Sequence, residues 1–191
     1  MSIMVREDPD VPDLPCVDGD GRVPDFDNVY RAHFPYVWRS LQRLGVPPGD
    51  IEDLTHEVFV VVHRKLCDFD SRRPLKPWLF GIAFRLASED RRRARRRFEL
   101  SMPTFERACA APGADDLIES DDRRRLVLEC LQTLDANQRA VLILLDIDGE
   151  AAIDVASAMN IPLPTVYSRL RVARRNFAAA VRRAKLRRGE P

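Results

Sequence analysis

The sequence predicts an all-α protein of two small helical domains joined by a flexible acidic linker, the second domain a helix-turn-helix. Three observations carry that prediction. Apolar residues recur at three- and four-residue steps in each patterned segment, the period of a helix with one buried face. Breaks rich in proline, glycine and acids punctuate those segments. Two arginine-rich blocks each follow a patterned segment, which points the chain toward a polyanion.

The bounds are set by size and composition. A chain of 191 residues has room for one ordinary domain or two small ones, and 45% hydrophobic with 32% charged residues excludes a wholly disordered polymer. The longest apolar run, Ala140 to Leu145, falls far short of the ~20 residues a bilayer span needs. The N-terminal stretch has no apolar segment of the signal-peptide kind. Cys16, Cys67, Cys109 and Cys130 form no CxxC pair, so neither a zinc ribbon nor a disulfide framework is indicated. The expectation is a cytoplasmic protein with reduced thiols and no membrane insertion.

Residues 1–25 hold four prolines and seven acids against Arg6 and Arg22, and read as a disordered acidic leader. From Phe26 the period becomes helical through Val29, Tyr30, Phe34, Val37, Trp38, Leu41 and Leu44. Pro35 implies a kink or two short helices there. Gly45, Pro47, Pro48 and Gly49 stop the segment. Asp50 is the expected cap of a second helix whose apolar face is Ile51, Leu54, Val58, Val61 and Val62. The β-branched run 58–62 invites a strand, but the amphipathic context favours helix.

Pro74 and Pro77 then bracket a basic loop, and Pro77 suits a first helical position. Trp78, Leu79, Ile82, Ala83 and Leu86 begin a helix that runs into six arginines among residues 91–97. The first domain is thus 26–97. Residues 98–119, with Pro103, Pro112, Gly113 and most of the local acids, form the linker.

The second domain is 120–186, with a short tail at 187–191. Leu126, Leu128, Leu131 and Leu134 make its first stripe. Asp135 with Gln138 fits a capping box opening a helix from Ala136 to Asp146. After Gly149 come helices near 150–159 and 164–183, joined at Asn160-Ile161-Pro162. Asn tolerates the left-handed backbone that a tight corner requires. A short helix, a tight corner and a basic helix make a helix-turn-helix.

In that last helix Val166, Leu170, Ala173 and Phe177 share the core face. Ser168, Arg171, Val172 and Arg175 lie opposite, flanked by Thr165, Tyr167, Arg169 and Arg174. Such a front fits a major groove, where arginine reads guanine and flanking arginines hold phosphates.

Four motifs in order resemble one family. Residues 50–59, DIEDLTHEVF, resemble a core-binding helix of the extracytoplasmic-function (ECF) class of bacterial RNA polymerase sigma factors. Residues 78–83, WLFGIA, followed by an arginine cluster, are similar to its next helix. Residues 134–142, LDANQRAVL, and 162–174, PLPTVYSRLRVAR, resemble its two motifs in the helix-turn-helix domain. The pattern differs where Ala151 stands at the usual Ser or Thr cap, leaving Asp148 as a substitute, and where Asn160 replaces a usual glycine.

The resemblance implies a non-enzymatic transcription initiation factor with no catalytic residues, metal or cofactor. It implies that RNA polymerase core is a partner through its clamp helices and flap, and promoter DNA another; an anti-sigma factor is a common third. Asp53, Leu54, Glu57 and Phe59 would face polymerase. Arg72, Arg73, Lys76, Trp78, Arg85, Arg91, Arg92, Arg95 and Arg96 would handle the −10 element and assist melting. Thr165, Tyr167, Ser168, Arg169, Arg171, Val172, Arg174 and Arg175 would bind the −35 element.

Two rival readings share parts of this pattern. A stand-alone helix-turn-helix regulator, with a helical sensor or dimerisation domain in front, would carry the same C-terminal half. A metal enzyme is suggested only by His56-Glu57, which begins like HExxH but has Val60 at the second histidine position. The acidic leader, beside the arginine blocks, suggests a cover for a DNA surface until polymerase binds.

Overall fold

A computed structural model describes residues 25–100 and 118–188, with side chains placed for 25–97 and 122–188. The leader, the centre of the linker and the last three residues lie outside the described residues. Seven helices and no strand occur among the described residues: α1 Phe26–Leu44, α2 Ile51–Lys65, α3 Leu75–Leu100, α4 Ile118–Gln132, α5 Ala136–Leu142, α6 Ala152–Met159 and α7 Leu163–Arg188.

The first three helices pack mutually. α1 is one uninterrupted helix. Pro35 is exposed, so the hydrogen bond it cannot donate is lost on the solvent side. Asp25 caps its start, accepting from the Asp27 amide at 3.3 Å. Gly45 ends it at φ 88°, a left-handed position where the Gly45 and Val46 amides recover the last carbonyls. α2 buries Ile51, Leu54, Thr55, Val58, Phe59 and Val62, a helical stripe that settles the 58–62 run as helix. Asp50 is not the side-chain cap expected of it. It sits at φ −106°, ψ −6° closing a 3-10 turn, with no side-chain bond to the helix amides. α3 begins two residues before Pro77 and buries Leu79, Phe80, Ile82, Ala83 and Ala87.

In the second group α7 packs on α4, α5 and α6. Asp135 caps α5 as expected, accepting from the Asn137 amide at 2.9 Å. Gln138 does not reach back to close the box; its Oε1 accepts from Asn176 instead. The predicted helix to Asp146 is broken at Leu142. Residues Ile143–Ile147 form a π turn, and the Asp148 amide bonds the Ile143 carbonyl five residues back. Asn160 takes the left-handed corner at φ 51°, ψ 52°. α7 extends to Arg188, into the stretch read as a tail.

The two groups do not stand apart. One apolar core runs through both, from Val37, Leu41 and Leu44 of α1 to Leu131, Val141 and Leu144. α1 meets α4 and α5, and α3 meets α6. Fully burying each such aliphatic contributes about 1.5–3 kcal/mol, so the contact is a packed seam. Of the cysteines among the described residues, Cys130 is free and buried. No helix among the described residues is long and apolar enough to cross a membrane.

Candidate nucleic-acid interface

The helix-turn-helix corner sets the front of α7. Val166, Leu170 and Ala173 are buried, which turns Ser168, Arg171 and Arg175 outward as the sequence predicts. Tyr167 stands 55% exposed beside them. Thr165 and Val172 are half-buried at the edge. Two predicted contacts are already engaged within the domain. Arg174 forms a two-pronged bond to Asp146 at 2.7 and 2.9 Å, and Arg169 reaches the Asn137 side chain at 3.5 Å. Asp146 lies in the π turn, and no helical period could have shown the pairing.

The second basic surface lies on the loop before α3 and along it. Arg72 is exposed and bonded to Asp70, whose carboxyl is held below its usual range by that guanidinium. Arg73 leans on Asp70 too, and its Nη1 donates to Ser157 Oγ of α6 at 2.6 Å. Lys76 lies 5.8 Å from the Tyr36 ring centre. Trp78 is half-buried with its ring 4.9 Å from Phe69. Phe69 was not singled out in the sequence, because an isolated aromatic in a loop has no period. Arg85 donates to the Ala158 carbonyl at 3.4 Å. A cleft of about 480 Å³ separates these groups from α6, lined by Phe69, Arg73, Trp78 and Arg85 on one side and Asp154, Ser157 and Ala158 on the other.

Farther along α3, Arg92, Arg95 and Arg96 are exposed. Arg91 is not: it turns inward, half-buried, with Nη1 3.5 Å from the Leu44 carbonyl. Its place is at the end of α1, and counting arginines in the block could not separate it from its neighbours.

Arg139 meets the same carbonyl. Only 5% exposed, it donates to Leu44 O at 2.5 Å, to Gln132 Oε1 at 2.7 Å and to the Gln132 and Leu134 carbonyls. Burial and the neighbouring Arg91 push its pKa down to about 10, which leaves it cationic at neutral pH. Two guanidiniums thus face the negative end of the α1 dipole. On the other side of the seam Asp148 accepts from Tyr36 Oη at 2.9 Å and from Arg43 Nη1 at 2.8 Å. Burial and this carboxylate raise the Tyr36 pKa well above its ordinary value. Asp148 is therefore not the substitute cap of the helix-turn-helix: α6 starts at Ala152, and Ala151 stands at its cap position with no side-chain cap bond.

The acidic face of α2 is a third surface. Asp53 and Glu57 are exposed one turn apart, as expected. Leu54 and Phe59 are 7% and 2% exposed, so they anchor the helix from the core and do not project outward. Beside them Phe26, Tyr30, Phe59, Val60 and His63 line an apolar groove. The sequence reading counted Phe26 and Tyr30 only as core.

Comparison with known proteins places these surfaces in a family context. The family description "Sigma-70 region 2" matches residues 29–97, and "Sigma-70, region 4" matches residues 124–177. The chain is 27% identical over 158 residues to the RNA polymerase sigma factor NccH of Alcaligenes xylosoxydans xylosoxydans, covering 81% of this chain and 85% of that protein. It is 30% identical over 157 residues to the ECF RNA polymerase sigma factor SigE of Mycolicibacterium smegmatis, covering 81% and 61%. The Escherichia coli K12 ECF sigma-E factor is 26% identical over 156 residues, covering 77% and 82%. Among solved structures, the fold is that of the sigma factor RpoE in complex with the anti-sigma factor NepR from Bartonella quintana, with TM-score 0.68, 24% identity and 83% and 97% of the two chains covered. CnrH in complex with the cytosolic domain of CnrY matches with TM-score 0.57 and 25% identity, covering 81% and 85%.

Proposed function

The chain belongs to the ECF class of sigma-70-type RNA polymerase sigma factors, and from that premise we propose how its surfaces divide the work of transcription initiation. It binds RNA polymerase core and directs it to promoters. Asp53 and Glu57 pair with basic residues of the polymerase clamp, on a helix whose angle Leu54 and Phe59 fix from the core. Arg72, Arg73, Lys76, Trp78, Arg85, Arg92, Arg95 and Arg96 bind the −10 element. There the aromatic ring receives a base out of the stack and the guanidiniums track the strand. Ser168, Arg171 and Arg175 read the −35 element in the major groove, with Tyr167, Val172, Thr165 and Arg169 at the edges.

The observation that carries this reading is the pairing of two basic surfaces on separate helical groups, one behind an Asn160 corner and one beside an aromatic cleft. A stand-alone regulator needs only the first. The factor works in the cytoplasm, without catalysis of its own. Two structural relatives were solved with NepR and with CnrY, and an anti-sigma factor is a partner we propose here as well.

The test is co-elution with purified bacterial polymerase core in size exclusion. The wild-type chain is expected in the core fraction, and Asp53→Arg with Glu57→Arg is expected to leave it while keeping its helical circular dichroism. Core binding that survives both reversals overturns the assignment of that face.

A further inference from the structure

We propose that the second half of α7 holds the sugar–phosphate backbone beside the −35 element, a sequence-independent contact made by Arg182 and Lys185. The proposal rests on the reading of Ser168, Arg171 and Arg175 as the face that enters the major groove. It adds phosphate contacts outside that groove and outside the region 4 match, which ends at residue 177 while α7 runs on to Arg188.

The argument starts from helical geometry. Arg171, Arg175, Ala178, Arg182 and Lys185 follow one another at steps of four, three, four and three residues, which keeps them within about 40° of one line along the helix. All five are exposed. The back of the same half-helix is closed. Ala180 and Ala184 are buried in one cluster with Cys130 of α4, and Leu126, Phe177 and Val181 pack against it. α7 is thus fixed from behind, and the line that begins in the recognition face continues past it.

The cations already held within the chain set this line apart. Arg169 reaches Asn137, Arg174 is bonded to Asp146 and Arg188 lies 3.5 Å from Glu129, all three at positions off the line. Among the described residues, the side chains of Arg171, Arg175, Arg182 and Lys185 have no hydrogen bond or ion pair. A basic last turn ordinarily serves the helix itself by meeting the negative end of its dipole, but that effect dies away within one turn. Arg182 stands six residues before Arg188, beyond that reach.

Scale then places these cations over the backbone. At a rise of about 1.5 Å per residue, Arg182 and Lys185 lie about 10 and 15 Å beyond Arg175 along the axis. A B-DNA major groove is about 12 Å wide. A helix that seats Ser168 to Arg175 in the groove therefore carries Arg182 and Lys185 past its wall, where phosphates are the available partners. Ala178 falls at the crossing, and its short side chain lets the helix lie close to the strand.

The test is anisotropy of the full chain on a fluorescein-labelled mixed-sequence duplex across a salt series. Arg182→Ala with Lys185→Ala should weaken binding roughly tenfold at about 0.1 M salt and flatten the log–log salt dependence by about 1.8, two phosphates at about 0.9 each. Ala178→Glu sets a carboxylate on the line and should weaken binding in the same direction. These positions are exposed, and alanine and glutamate favour helix, so helical circular dichroism should not change. Arg183→Ala with Arg187→Ala removes the same charge from the same end of α7 but off the line, and should flatten the slope by less than about 0.5. An unchanged slope on losing Arg182 and Lys185, or an equal flattening on losing Arg183 and Arg187, overturns the backbone contact. If that happens while Arg171→Ala with Arg175→Ala still weakens binding, the reading of the recognition face stands. If the loss of Arg171 and Arg175 also leaves binding unchanged, that reading falls too.

Discussion

Replacing Asp148 by Asn tests the seam at its most defined point. The substitution keeps the shape and one carbonyl acceptor and deletes the charge. Asp148 is 8% exposed and Arg43 27%, so the pair is far drier than a surface ion pair. An exposed pair would contribute about 0–1 kcal/mol, whereas a hydrogen bond to a charged group contributes about 1.5–3 kcal/mol. Asp148 holds two, at 2.8 and 2.9 Å, to Arg43 and Tyr36. They share one carboxylate and Asn retains one of its acceptors, so the expected loss is about 1.5–2.5 kcal/mol. For a chain of this size that lowers Tm by about 3–10 °C. The assay is thermal unfolding of Asp148→Asn, Tyr36→Phe and the double variant, with the coupling read from the cycle. A coupling of about 1 kcal/mol is expected. A Tm change within a degree, with coupling indistinguishable from zero, would mean that the two helical groups move independently and that the seam contributes nothing.

Other consequences follow from the same geometry. Because burial and Asp148 raise the Tyr36 pKa, its contribution is complete below the unfolded value of about 10 and is lost as pH rises above it. The stability advantage of wild type over Tyr36→Phe should therefore be flat from neutral to mildly alkaline pH and shrink beyond about pH 10. An advantage that grows there contradicts the assignment. Leu41→Ala removes a side chain at 0% exposure from the core that runs through both groups and should cost about 2–5 kcal/mol in denaturant unfolding. Arg171→Ala should weaken binding to a duplex and flatten its log–log salt dependence by about 0.9 if the side chain neutralises one phosphate. An unchanged slope with lower affinity would instead mark it as a reader of base edges.

The parts of the fold that depend on near neighbours were legible in the sequence. Asp135 as a cap, Gly45 as a stop and Asn160 as a left-handed corner each involve a backbone conformation or a hydrogen bond within a few residues. The apolar stripes of α2 and α7 do as well. Asp50 shows the limit of that reasoning, because a 3-10 turn from Pro47 gave its backbone another role. So does Pro35, whose missing donor costs little on the solvent side of a helix packed by α2 and α3.

What was not legible joins residues far apart in the chain. Asp148 meets Tyr36 across 112 positions and Arg139 meets Leu44 across 95. Local pattern carries no information about such pairs, so the sequence leaves open how the two domains lie against each other. The same blindness shaped the site. Arg91 is indistinguishable by composition from Arg92, yet one helical step turns it from solvent to the end of α1. Leu54 and Phe59 share a motif with Asp53 and Glu57, but the helical period already places them on the buried face. That signal was in the sequence, and the motif match overrode it.

The account stands or falls on whether the chain gives polymerase a choice of promoter. The most direct measurement is transcription by purified core polymerase from a random-sequence template library, with and without the chain, followed by sequencing of the templates that yield transcripts. The account predicts enrichment of two separated elements only when the chain is present. Arg171→Ala with Arg175→Ala should erase the upstream element, and Arg73→Ala with Arg85→Ala the downstream one. Transcripts that match those of core alone, with no enriched element, would contradict it.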